Sequence, residues 1–209
     1  MSGYTEQMLL QDLGPQTSDK AAGAAATRFD SRTRSLGGAD CAPGSPAQFG
    51  ITLEAGTFWV AALPRPTEGA DQQDVFTAQA LSTLTVSGSP TAAALPTPDA
   101  TAVASDARSW TLPEPIAARG TLRLRNPGAN SHSLRFEKVP PDSTPQEWLE
   151  ATKLGRGADG VGSARLSPGG EMLWIYNLAP GAYVVTDSSI GEYGYPQPYG
   201  AGAVLVTLR

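Results

Sequence analysis

From Phe49 to its last residue the chain consists of short runs that alternate apolar and polar side chains, each closed by glycine or proline. The strictest is Gly120-Thr121-Leu122-Arg123-Leu124-Arg125-Asn126. A period of two places Leu122 and Leu124 on one face of a strand and the arginines on the other. A helix cannot use that pattern, because its faces recur every three to four residues. The punctuation is dense: 23 glycines and 18 prolines in 209 residues leave few stretches long enough for a helix. The chain is therefore expected to be all-β.

Residues 51–53 and 57–62, on either side of Glu54-Ala55-Gly56, read as a hairpin-like pair of strands. Another is expected at 80–86. A second run follows at 101–105, 108–112, 120–126, 132–138, 161–166, 171–177, 182–187 and 203–208. One helix interrupts it. Thr144-Pro145-Gln146-Glu147 is a capping box with proline at the first helical position, Trp148, Leu149 and Thr152 form its packing face, and Gly155 closes it. Trp59, Trp110, Trp148 and Trp174 are read as packing residues.

Composition divides the chain into four parts. Residues 1–45 are polar and small and read as an N-terminal arm, loosely ordered except where Met8, Leu9 and Leu13 dock as one helical turn or a short strand. Residues 46–90 form a small β unit, 91–100 have linker composition, and 101–209 form the main domain. Glu54–Val60 also matches Ala179–Val185, and each is followed by a loop and a closing strand ending at Val86 and Leu208. The two β units are thus read as related, as halves of a degenerate repeat.

The scarce residues limit the chemistry. With one cysteine, Cys41, no disulfide forms within the chain. With one histidine, His132, a Cys/His zinc site cannot be built, and a Ser-His-Asp or Cys-His catalytic centre would have to run through that residue alone. A net charge of −5 argues against a nucleic-acid partner. No apolar run reaches the 18 residues or so that span a bilayer, and Met1 to Leu13 does not read as a signal peptide. Gly155-Arg156-Gly157-Ala158-Asp159-Gly160 spells a dinucleotide fingerprint but follows a helix, so it is read as a loop. No nucleophile–base pair is recognisable, and no enzyme is expected.

Residues 108–209 carry a series of motifs in order. They are Ile116-Ala117-Ala118-Arg119-Gly120-Thr121, then Asn126-Pro127-Gly128-Ala129-Asn130-Ser131-His132-Ser133-Leu134, then Leu166-Ser167-Pro168-Gly169-Gly170, and finally Leu178-Ala179-Pro180-Gly181-Ala182-Tyr183-Val184-Val185. With the helix around Trp148, this series resembles the cupredoxin family, the Greek-key β sandwich of blue-copper proteins. The resemblance implies such a sandwich, with His132 where the family carries its first copper histidine. It also shows a departure. Asp187 stands where the family has its cysteine, and Gly191–Gly200 holds neither the second histidine nor a methionine. A blue-copper centre needs a thiolate and two imidazoles, so no cofactor is expected.

What remains is a non-catalytic structural or binding protein on a copper-less scaffold, in an envelope, extracellular or larger assembly, with a protein partner or self-assembly and a glycan as a further possible partner. A mature secreted or envelope chain and a cytoplasmic or packaged one both fit. Tyr193, Tyr195, Pro196, Pro198 and Tyr199 are the candidate contact patch, because tyrosine gives rigid amphipathic area. The alternative is a metal-binding protein in which His132 and Asp187, with other oxygen ligands, hold copper. A blander reading makes His132 a strand-end cap that hydrogen-bonds locally.

Overall fold

A computed structural model describes residues 3–13, 19–40, 47–62, 80–88, 95–107, 109–153, 160–187 and 202–209. The chain divides into two compact units. One is drawn from the described residues of Met1–Thr33 and Leu53–Ala93, the other chiefly from Arg34–Thr52 and Ala94–Ser189, with the final strand.

The second unit is the expected sandwich. Its strands are β1 (Gln48–Gly50), β4 (Ala100–Ser105), β5 (Ser109–Thr111), β6 (Arg119–Arg125), β7 (Leu134–Lys138), β8 (Val161–Gly162), β9 (Glu171–Asn177), β10 (Gly181–Asp187) and β11 (Val204–Leu208). One sheet has the order β1-β9-β6-β4-β5 and the other β11-β10-β7-β8. The chain passes between the sheets from β6 to β7, from β8 to β9 and from β9 to β10, as a Greek-key sandwich requires. All neighbours are antiparallel except β4 and β6.

The alternation seen in the sequence fills the space between the layers. Leu122 and Leu124 of β6, Met172 and Trp174 of β9, Leu134 and Phe136 of β7, and Tyr183 and Val185 of β10 belong to one buried cluster. Phe136 stacks on Trp174 of the opposite sheet, with ring centroids 5.4 Å apart, and meets Tyr183 edge-on at 6.3 Å. Strand β10 is buried on both faces, because Val184 packs with Trp148 and Leu149 of helix α3 (Pro145–Lys153). The capping box forms as read: the Thr144 amide donates to Glu147 Oε2 at 2.8 Å, and the Glu147 amide donates to Thr144 Oγ1 at 3.2 Å.

The first unit differs from its sequence reading. The arm is helical, with α1 (Glu6–Leu13) and α2 (Asp19–Arg32). Five alanines in α2 favour helix intrinsically, a preference that small-residue composition conceals. The two helices are joined by an ion pair, Arg28 Nη2 to Asp12 Oδ1 at 2.6 Å, and the Tyr4 hydroxyl donates to Asp12 Oδ2 at 3.0 Å. Burial, that hydrogen bond and the Asp12 charge push the Tyr4 phenol above its ordinary range, against the pull of Arg28.

The arm also ends earlier than position 45. Leu36 bridges Leu166 and Ala39 bridges Ser163, so Arg34–Asp40 lines the sandwich. The boundary at 46 moves too, because Gln48–Gly50 pairs with β9. The hairpin expected within 51–62 does not form. Strand β2 (Gly56–Ala62) pairs instead with β3 (Ala80–Val86), and 51–53 is not strand. The end of the expected linker, Ala100, starts β4. In the register, Gly56 opposes Val86 in one unit and Gly181 opposes Leu208 in the other. Trp110, Trp148 and Trp174 are buried as expected, whereas Trp59 is 38% exposed.

Candidate functional site

His132 lies two residues before β7, on the same alternation that turns Leu134 and Phe136 inward. Its backbone is fixed by a two-way bridge to Leu166, with N–H to O distances of 3.0 and 2.8 Å. The loop before it is organised by buried Asn126. That side-chain amide donates to the carbonyls of Asn130 and Leu166 at 2.7 and 2.8 Å, and its oxygen accepts from the Gly128 amide at 3.1 Å. An Asx turn of this kind makes Asn-Pro-Gly a defined corner.

Asp187 ends β10 and continues the inward face of Tyr183 and Val185. Register places it opposite Leu134, beside His132. Both side chains are fully buried, and His132 Nδ1 hydrogen-bonds Asp187 Oδ2. The other carboxylate oxygen accepts from the Ser133 amide at 3.0 Å. The local strand-cap reading of His132 therefore gives way to a contact spanning 55 residues of sequence.

A third group joins them that the sequence reading did not single out. Asp106, in the turn between β4 and β5, faces His132 Nε2 at 3.5 Å. That nitrogen has no hydrogen-bond partner among the described residues, so Asp106 acts on it through charge. Asp106 is anchored by amide bonds from Ala129 at 2.9 Å and Asn130 at 3.1 Å. A side chain at Gly128 would collide with its carboxylate. The signal available in sequence was faint: an aspartate between two strands, and a Pro-Gly-Ala-Asn segment with free amides. The Trp110 ring closes the cluster edge-on, 6.5 Å from the imidazole centroid.

Charge follows from this geometry. Burial alone would lower the His132 pKa, but hydrogen bonding and charge from Asp187, and then the charge of Asp106, raise it. The Asp106 carboxyl is held below its usual range by the Ala129 and Asn130 amides, with smaller help from His132. The cluster sets one imidazole between two carboxylates, whose charge favours the protonated ring.

The resembled family's copper does not fit this donor set. Nδ1 is turned to the carboxylate that replaces the thiolate, and Nε2 faces a second carboxylate. Among the described residues, no group of three or more His, Cys, Asp and Glu is arranged to hold a metal ion. His132 and Asp187 are brought together, but as partners of each other. Cys41 and the patch Tyr193, Tyr195, Pro196, Pro198 and Tyr199 lie outside the described residues.

Two sheets exchanging strands around a buried histidine–aspartate pair form a Greek-key β sandwich. Two solved structures are similar. One is a dithionite-reduced auracyanin from the photosynthetic bacterium Roseiflexus castenholzii, at 18% identity and a TM-score of 0.32, covering 53% of this chain and 95% of that one. The other is auracyanin B, at 16% identity and a TM-score of 0.32, covering 56% and 93%. No family model and no curated protein sequence matches the chain. At such distance the site is read from this chain's own residues.

Proposed function

We propose that the chain is a non-catalytic structural or binding protein on a copper-less cupredoxin-like scaffold. It works in an envelope, extracellular or larger assembly, through a protein partner or self-association. The observation that carries the copper-less reading is the engagement of the sole imidazole by Asp187 and Asp106. The copper-binding alternative would have to use Nε2, which faces the Asp106 carboxylate at 3.5 Å.

Apolar side chains at unprotected strand positions support the binding reading. In the first unit, β2 and β3 form a two-stranded ribbon with no charged residue in either strand, on which Val60 is 54% and Leu84 43% exposed. In the sandwich, Phe49 is exposed on edge strand β1, and Val204 and Leu205 on edge strand β11. Edge strands in monomers are usually blunted by lysine or proline, and two-stranded ribbons are marginal in water. No helix among the described residues is long and apolar enough to cross a membrane.

The test is sedimentation and native mass measurement of the full chain beside a V60K/L84K variant. The expected result is association of the parent, with itself or a captured partner, that the variant loses. A parent that stays a 21.7 kDa monomer at every concentration and captures nothing overturns the assembly reading. Stoichiometric copper in the purified parent, lost on His132→Ala, overturns the copper-less one.

A further inference from the structure

We propose that the His132–Asp187 hydrogen bond is a proton-held clasp, joining by a shared proton the chain segments that a metal ion would join in the resembled family. The proposal rests on the copper-less reading above and deepens it.

Three separate connections meet at this end of the sandwich. The loop 126–133 supplies His132, the end of β10 supplies Asp187, and the β4–β5 turn supplies Asp106. None is tied to another by regular pairing at the imidazole itself. Beyond β7 and β10, whose register ends at Leu134 and Asp187, side-chain hydrogen bonds link these connections among the described residues. Asp187 accepts from both the His132 ring and the Ser133 amide, so one carboxylate grips two consecutive residues. Asp106 grips the same loop from the other side through the Ala129 and Asn130 amides.

The bond to Asp187 needs the proton on Nδ1, which fixes that nitrogen as a donor. The Asp106 carboxylate, 3.5 Å from Nε2 without a hydrogen bond, favours a second proton there through its charge. Among the described residues, the titratable groups facing the ring are Asp187 from β10 and Asp106 from the turn; from β5 it meets Trp110, which does not titrate. The clasp therefore depends on the Nδ1 proton, and full burial of both side chains keeps water from substituting for Asp187. The rise in the His132 pKa is in keeping with this arrangement.

Because His132 is the sole histidine, proton NMR of the intact full chain reads it without ambiguity. The expected result is a far-downfield, slowly exchanging Nδ1–H resonance and a ring C–H titration that lies above pH 6.5, the ordinary histidine value. Added Cu(II) should leave these signals unbroadened. D187N, which keeps the shape and removes the charge, should lose the downfield signal and bring the ring titration down. A parent ring that titrates near or below that ordinary value with no downfield proton, while still ignoring Cu(II), overturns the clasp and leaves the copper-less scaffold standing. One-to-one Cu(II) broadening of the ring signals overturns both.

Discussion

Asp187 occupies a position where alternation calls for a core residue. Tyr183 and Val185, four and two residues earlier, are 4% and 1% exposed and lie on the same face. A carboxylate there is held by His132 and the Ser133 amide, which meet its oxygens. The consequence for pH has a definite sign. A histidine pKa that is raised on folding stabilises the fold fully below the unfolded value of about 6.5, and that stabilisation is lost as pH rises through the folded value. Asp106 works oppositely. Its lowered pKa stabilises above the unfolded carboxylate value of about 3.9, and that is lost as pH falls through the folded one. Urea unfolding midpoints should therefore be highest between these limits and descend on the alkaline side. The alkaline descent should flatten in H132Q, and an alkaline limb unchanged by that substitution would contradict the assignment.

Among the elements, helix α3 shows how local signals and long-range packing combine. Its start was legible from Thr144, Pro145 and Glu147, because a capping box is written in four residues. Its docking was not. The Trp148 indole donates to buried Glu137 Oε2 at 2.8 Å, and Arg135 Nε donates to the other oxygen at 3.0 Å, a link between β7 and the helix that no spacing announces. Thr144→Ala should lower stability by about 1 kcal/mol, the usual worth of a hydroxyl N-cap, measured as a shift in the urea midpoint at constant slope. The strands from β4 onward were legible from alternation and Gly/Pro punctuation. The partner of β2 was not, because Glu54-Ala55-Gly56 looks like a hairpin corner while the actual partner, β3, begins 18 residues after β2 ends. Helix α2 was missed for a different reason: alanine carries high helix propensity but little hydrophobic signal.

Across the whole molecule, the sandwich was readable and the meeting of three connections at one end was only half so. His132 and Asp187 could be named together because each sat at a marked place in a motif series. Asp106 could not, since its role comes from the fold bringing the β4–β5 turn to the 128–130 amides. The two units share a glycine-to-closing-residue pairing, but only the β10–β11 pair gains a third strand, β7, and an opposing sheet. The β2–β3 ribbon has no such cover among the described residues, which is why association is expected there.

The central claim is that this scaffold closes on a histidine–aspartate pair and not on copper. Ligands that bind only the folded state raise its stability by mass action. The most direct measurement is the urea unfolding midpoint of the full chain in excess Cu(II) and in EDTA. The account predicts the same midpoint in both. A midpoint raised by Cu(II) in the parent, and not in H132Q, would contradict it.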